Sequence, residues 1–210
     1  MTGANEASFA EDFNVSRETI ERLHRYEALL RKWNPAINLV SPQTLTDVWG
    51  RHFRDSAQIF DLAKVPDAKI WADLGAGGGF PGLVVAILAA EKRSSLGVAL
   101  VESDQRKAAF LMTVSRELGL HTRVLSQRIE AIPPLGADIL SARALAPLSK
   151  LLEFAERHLK PGGTALFPKG AKWREELSEA QKSWSFDVAC HASVTDSEAT
   201  VLEISGVSRV

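Results

Sequence analysis

Apolar positions along the chain follow two different periods, and the change comes near residue 66. Before it, apolar residues recur every three or four positions. Ile20, Leu23, Leu30 and Trp33 fall near one face of a helix that starts after Ser16. The Ser16 hydroxyl suits an N-cap, and Glu18 and Glu21 suit the first turns. The Asn34-Pro35 step is expected to break this helix, and a second helical stretch covers about 44–62. Residues 1–12 are small, polar and acidic and read as a flexible tail, which leaves 13–65 as a helical extension. From 66 to 210, short apolar runs alternate with helical patterns. Runs at 69–74, 97–101, 122–125, 137–141 and 164–168 read as buried strands. Helices are expected between them at 83–90, 105–118 and 148–159, and a polar one over 172–182. The segments 185–190 and 199–204 alternate in the strand period and predict a closing antiparallel pair. The pattern as a whole predicts an α/β, Rossmann-like sheet, mostly parallel with one antiparallel C-terminal strand, carrying an N-terminal helical extension.

Composition changes this picture little. The chain has 210 residues, enough for one compact unit with an extension, and its 45% hydrophobic and 24% charged content is ordinary for a soluble globular protein. The net charge of −1 removes any bulk electrostatic case for nucleic acid, so RNA binding would need a local basic patch. One cysteine, Cys190, excludes an internal disulfide and a cysteine-based zinc site, and fits a reducing cytoplasm. The N-terminal residues do not form a signal peptide, and the longest apolar run, 83–90, is too short to span a bilayer. No metal site is expected.

The chemistry concentrates in Ala72-Asp73-Leu74-Gly75-Ala76-Gly77-Gly78-Gly79-Phe80-Pro81-Gly82, a tight turn between the first strand and a helix N-terminus. Two cofactor readings meet there. Gly77 to Gly82 spells the dinucleotide pattern GxGxxG. Asp73 to Gly79 spells D-L-G-x-G-x-G, which looks like the S-adenosylmethionine (SAM) loop. An acidic Asp73 at the strand end favours SAM, because a carboxylate beside a pyrophosphate works against the helix-end preference for anions. A turn with no ligand is the third reading, disfavoured by the entropy cost of so many glycines. Glu102 ends the second strand about 20 positions beyond Gly82, where a carboxylate accepts ribose hydroxyls; capping the next helix is its alternative role. Gln127 to Glu130 lie at the carboxyl edge, where they can meet an adenine ring, and Arg143 leaves the fourth strand toward the site. Arg51 and Asp55, four apart, can share a helix face.

From about Tyr26 onward the chain resembles the bacterial 16S ribosomal RNA guanine-N7 methyltransferases, the RsmG (GidB) family. The resemblance is carried by Trp33-Asn34-Pro35-Ala36-Ile37-Asn38-Leu39, Arg51-His52-Phe53-Arg54-Asp55-Ser56, Asp73 to Gly82, Val101-Glu102-Ser103, Arg128-Ile129-Glu130, Ser141-Ala142-Arg143-Ala144 and Pro161-Gly162-Gly163 with Lys169-Gly170. The glycine loop alone matches many methyltransferases; N-P-x-x-N-L, R-H-x-x-D-S and S-R-A in this order are far more specific. The resemblance implies a class I SAM-dependent methyltransferase sheet over 66–210, with the extension over the cofactor edge. It implies SAM as cofactor, held by Asp73, Gly75, Gly77, Phe80, Glu102, Ile129, Glu130 and Arg143. It implies 16S rRNA or the small ribosomal subunit as partner, methylated at N7 of a guanine in the 530 loop by a cytoplasmic monomer. Asn38, Arg51, His52, Arg143 and Lys169 are the expected RNA contacts, and Arg54 and Lys172 are expected on the same basic rim. Guanine N7 carries a lone pair and no proton, so no general base is expected. A SAM-dependent small-molecule methyltransferase, a nicotinamide-binding Rossmann protein and a non-enzymatic binding module are the alternatives.

Overall fold

The computed structural model describes residues 2–210, with side chains from Glu6 onward. Seven strands form one sheet: β1 (Ile70–Leu74), β2 (Gly97–Val101), β3 (Thr122–Leu125), β4 (Ala137–Ser141), β5 (Leu159–Lys169), β6 (Trp184–Ala192) and β7 (Thr200–Arg209). Their spatial order is β3-β2-β1-β4-β5-β7-β6. β1 to β5 pair in parallel, and β7 alone runs against them. This is the expected mostly parallel sheet with one antiparallel C-terminal strand. The chain reverses its direction of travel across the sheet between β1 and β4, so a crevice opens at their carboxyl ends.

Among the described residues, seven α-helices surround the sheet: α1 (Thr2–Asp12), α2 (Arg17–Ile37), α3 (Asp55–Leu62), α4 (Gly82–Lys92), α5 (Gln105–Glu117), α6 (Leu148–His158) and α7 (Trp173–Ala180). α4 is apolar almost all round and buried from Gly82 to Ala89, because the sheet covers one side of it and α2 and α3 the other. One apolar cluster therefore runs from Phe9, Leu23, Tyr26 and Phe53 of the extension into Val84, Leu100 and Phe110 of the α/β part. A second cluster, with Leu140, Leu152, Phe167 and Leu202, fills the opposite face.

Four local expectations are corrected. Met1 lies outside the described residues, and the rest of the tail expected at 1–12 is α1 (Thr2–Asp12); the fully buried Phe9 explains it: its ring meets Phe13 at 4.7 Å and Trp49 at 5.5 Å. α2 is not broken at Asn34-Pro35 but runs to Ile37; the lost proline N–H falls near its last turn, opposite Arg31, an exposed residue. Its N-cap is Ser16, as expected, with the hydroxyl accepting from the Thr19 N–H. The stretch 44–62 is three successive turn types, a 3₁₀ turn (Thr44–Asp47), a π turn (Trp49–Arg54) and α3. The wider π turn packs Trp49, His52 and Phe53 inward together, which a regular α-helix spaces differently. The Pro161-Gly162-Gly163 turn lies within the span of β5, as an irregularity where Ala137 pairs with Leu159 and Ile139 with Thr164.

Candidate active site

The glycine loop sits at the carboxyl end of β1, directly above the crevice. Gly77 has φ +54° and Gly79 has φ +94°, backbone that favours glycine. At Gly79 a Cβ would also run into the Tyr26 hydroxyl and the Leu83 side chain. The loop is gripped from the extension. The Tyr26 hydroxyl donates to the Gly78 carbonyl, and its ring stacks on Phe80 at 5.3 Å. His52 stacks on the Phe80 ring at 4.6 Å.

Beneath the loop, the Asp73 carboxylate is only 1% exposed. Its Oδ2 accepts the Gly82 N–H at 2.9 Å and its Oδ1 accepts the Ser141 hydroxyl at 2.8 Å. The Trp71 indole donates to Ser141 in turn, at 2.9 Å. Burial pushes the Asp73 pKa up to about 7, against the pull of the Ser141 and Gly82 hydrogen bonds. Asp73 lines neither cavity described below. This carboxylate ties the loop and the start of α4 to β4.

Two adjoining cavities occupy the crevice. The first, of about 550 Å³, lies in the size range of small-molecule sites. Gly75, Gly77, Phe80, Glu102, Ile129, Glu130 and Arg143 all border it. Glu102 Oε2 accepts the Gly77 N–H at 2.9 Å and Oε1 accepts the Asp104 N–H at 2.8 Å. Each oxygen keeps acceptor capacity for a hydroxyl. The next helix is capped by Asp104, not Glu102, which frees Glu102 from its alternative role. The second cavity, of about 700 Å³, shares Leu39, Arg143, Ala144, Leu145 and Ala146 with the first. Arg51, His52 and Lys169 border it.

Arg143 stands between the two cavities. One guanidinium nitrogen donates to Asp55 Oδ2 at 3.1 Å, the other meets His52 Nδ1 at 3.0 Å, and the group lies 5.1 Å from the Phe80 ring centre. Asp55 pairs with Arg143 and not with Arg51, contrary to the i,i+4 expectation. Burial, then the charges of Arg143 and Arg51, lower the His52 pKa to about 3, so its ring is neutral. Lys169 pairs with Glu176 at 2.6 Å and donates to the Ala146 carbonyl at 3.0 Å.

A family model described as rRNA small subunit methyltransferase G matches residues 19–204. The chain belongs to that family. Among its relatives, the rRNA small subunit methyltransferase G of Ruegeria pomeroyi is 56% identical over 96% of this chain and 98% of its own length. That of Rhodospirillum centenum is 52% identical over 95% of this chain and 90% of its own. Solved structures share the fold at low identity. A SAM-dependent methyltransferase from Aquifex aeolicus superposes with TM-score 0.57 at 15% identity, covering 85% of this chain and 96% of that one. A methyltransferase from Geobacter sulfurreducens does so with TM-score 0.57 at 15% identity, over 88% and 87%. The sheet is thus that of the class I SAM methyltransferases.

Within this family member, not every expected contact reaches the crevice. Asn38 is the left-handed C-cap of α2, with φ 49°, and is exposed; its neighbour Leu39 is the residue that borders both cavities. Arg54 points away and binds Asp12 and the Ser8 hydroxyl, tying α1 down. Lys172 borders neither cavity. Sequence reasoning missed Lys150, Phe154 and Leu145 in the first cavity, and Thr195 and Glu176 in the second. Nothing local marks these five; strand order and helix docking bring them in.

Proposed function

We infer that the chain transfers a methyl group from SAM to N7 of a guanine in the 530 loop of 16S ribosomal RNA, working as a monomer in the cytoplasm. The observation that carries this is the pair of adjoining cavities with Arg143 at their shared wall, in a member of a small-subunit rRNA methyltransferase family. The first cavity fits SAM in kind: Glu102 has acceptor sites for a ribose diol, Ile129 and Phe154 give apolar walls, and charges of both signs suit a zwitterion. SAM supplies the electrophilic methyl on a sulfonium. Gly75, Gly77, Phe80, Glu102, Ile129, Glu130 and Arg143 would hold it.

The chain's own part in the reaction is alignment and exclusion of water. Guanine N7 has an in-plane lone pair and no proton, so the attacking atom needs only position. Leu39 and Leu145, on the shared wall, keep the transfer point dry. Arg143 is held on two sides and over Phe80, so its guanidinium is positioned before substrate arrives. No base is assigned. Asp73 is sealed under the loop, and His52 turns both its stacking face and its Nδ1 to other residues.

The test is methylation of small ribosomal subunits from cells lacking the corresponding gene. Borohydride reduction and aniline cleavage mark N7-methylguanine in RNA. Cleavage at a single 530-loop guanine, only after treatment with protein and SAM, is the expected result. Single-turnover rates at saturating substrate should be nearly flat from mildly acidic to mildly alkaline pH. A mark on another atom, or a rate rising tenfold per pH unit, would defeat the reading.

A further inference from the structure

Adenine N7 offers the same protonless lone pair as guanine N7, so the chemistry of transfer does not tell the two bases apart. Selection has to come from the opposite edge. There guanine presents two donors, N1–H and the 2-amino group, where adenine presents a bare N1 acceptor and C2–H. A carboxylate that accepts from that edge attracts guanine and repels adenine.

Three carboxylates border the second cavity: Asp55, Glu176 and Asp196. Asp55 is spent. Its Oδ2 holds Arg143 and its Oδ1 accepts from Gln58 at 2.9 Å and from the Thr195 hydroxyl at 3.1 Å. Asp196 is exposed in the loop between β6 and β7, with Oδ1 accepting the Glu198 N–H. Glu176 is different. It comes from α7, and a single oxygen, Oε2, takes both of its donors: the Leu148 N–H at 2.8 Å and Lys169 Nζ at 2.6 Å. Lys169 is itself anchored on the Ala146 carbonyl. Among the described residues, nothing bonds Oε1. The carboxylate is thus held in place from one side with its second oxygen uncommitted, at the border of a cavity that reaches the transfer point through the Ala144–Ala146 wall.

We propose that Glu176 is the specificity residue for the base: Oε1 accepts from the N1–H and 2-amino edge of the target guanine while N7 faces the methyl group. The assignment rests on the guanine-N7 reading above and names its recognition element. Lys169 is a positioning residue here, fixing the carboxylate.

The test compares guanine with inosine at the target position in reconstituted small subunits. Inosine keeps N7, O6 and N1–H and lacks only the 2-amino group. Wild-type protein should methylate inosine about tenfold more slowly, or worse, in single turnover, because an acceptor desolvated by the bound base loses its donor. In Glu176→Gln the guanine rate should fall, and the guanine-to-inosine ratio should shrink to within about threefold. Glu176→Asp, read in the same way, serves if the glutamine variant is poorly folded. Melting temperature and SAM affinity accompany both. An equal slowing on guanine and inosine with the ratio unchanged would make Glu176 a cap for α6 and overturn the assignment alone. So would a wild-type enzyme indifferent to inosine. Absence of any N7 methylation by wild-type protein would overturn the underlying reading, and the assignment with it.

Discussion

His52 and Asp73 lie on either side of the glycine loop and respond to acid in opposite directions. The His52 pKa is lowered to about 3 from an ordinary 6.5, first by burial and then by Arg143 and Arg51. Its neutral form stabilises the fold fully above pH 6.5, and that contribution is lost as pH falls toward 3. The Asp73 pKa is raised to about 7 from 3.8, mainly by burial. Its contribution is fully present below 3.8 and is lost as pH rises through 7. The two partly cancel in the window between. His52→Phe keeps a ring to stack on Phe80 and removes the titration. Between pH 7 and pH 4 its stability relative to wild type should improve by about 3 kcal/mol, measured by urea unfolding across pH. A constant difference across that range would show that His52 titrates normally. At this scale the motif residues were legible, but their partners were not. Asp73 was visible as the acidic residue of a cofactor loop; that Ser141 and Gly82 consume it depends on β4 pairing beside β1.

The elements of the N-terminal extension brace the cofactor loop. α2 brings Tyr26 to the Gly78 carbonyl, and the π turn brings His52 and Phe53 to Phe80. α1 closes over the far side through Phe9 and through Arg54, which binds Asp12. Tyr26→Phe keeps the ring and leaves the buried Gly78 carbonyl unpaired. It should cost about 1–3 kcal/mol in urea unfolding and weaken SAM binding in calorimetry. Unchanged stability and unchanged SAM affinity would reduce the extension to a passive cover. The helical period of α2 was readable because Ile20, Leu23 and Leu30 repeat on one face. α1 was not, because one buried ring, Phe9, organises an otherwise polar and small-residue stretch.

For the molecule as a whole, a net charge of −1 gives no general attraction to RNA. Cationic side chains do gather at the crevice, where Arg51, Arg143 and Lys169 border the second cavity. Arg143 and Lys169 are neutralised by Asp55 and Glu176, whereas the Arg51 side chain has no bonded partner among the described residues. Arg51 is therefore the one of the three placed to take a phosphate. Binding of small-subunit RNA should weaken steeply with added salt, and Arg51→Ala should lower the log–log slope by about one. Filter binding across salt concentrations measures this. An unchanged slope would move the phosphate contacts away from the crevice.

The sequence by itself determined the sheet, its direction, the glycine loop and the carboxylate at the end of β2, because these depend on local periodicity, on backbone freedom at glycine and on fixed spacing within one βαβ unit. Its motifs also carried the family. The tertiary structure decided which charged groups remain available. Asp55 turned from Arg51 to Arg143, Asp73 withdrew into the floor, Asn38 became a helix cap and Glu176 arrived from α7 with one oxygen uncommitted. Apart from the Asn38 cap, which is made locally to Asn34, each outcome depends on contacts between residues far apart in the chain, and a charged side chain shows no sequence mark of whether its partner will be a protein group or a ligand.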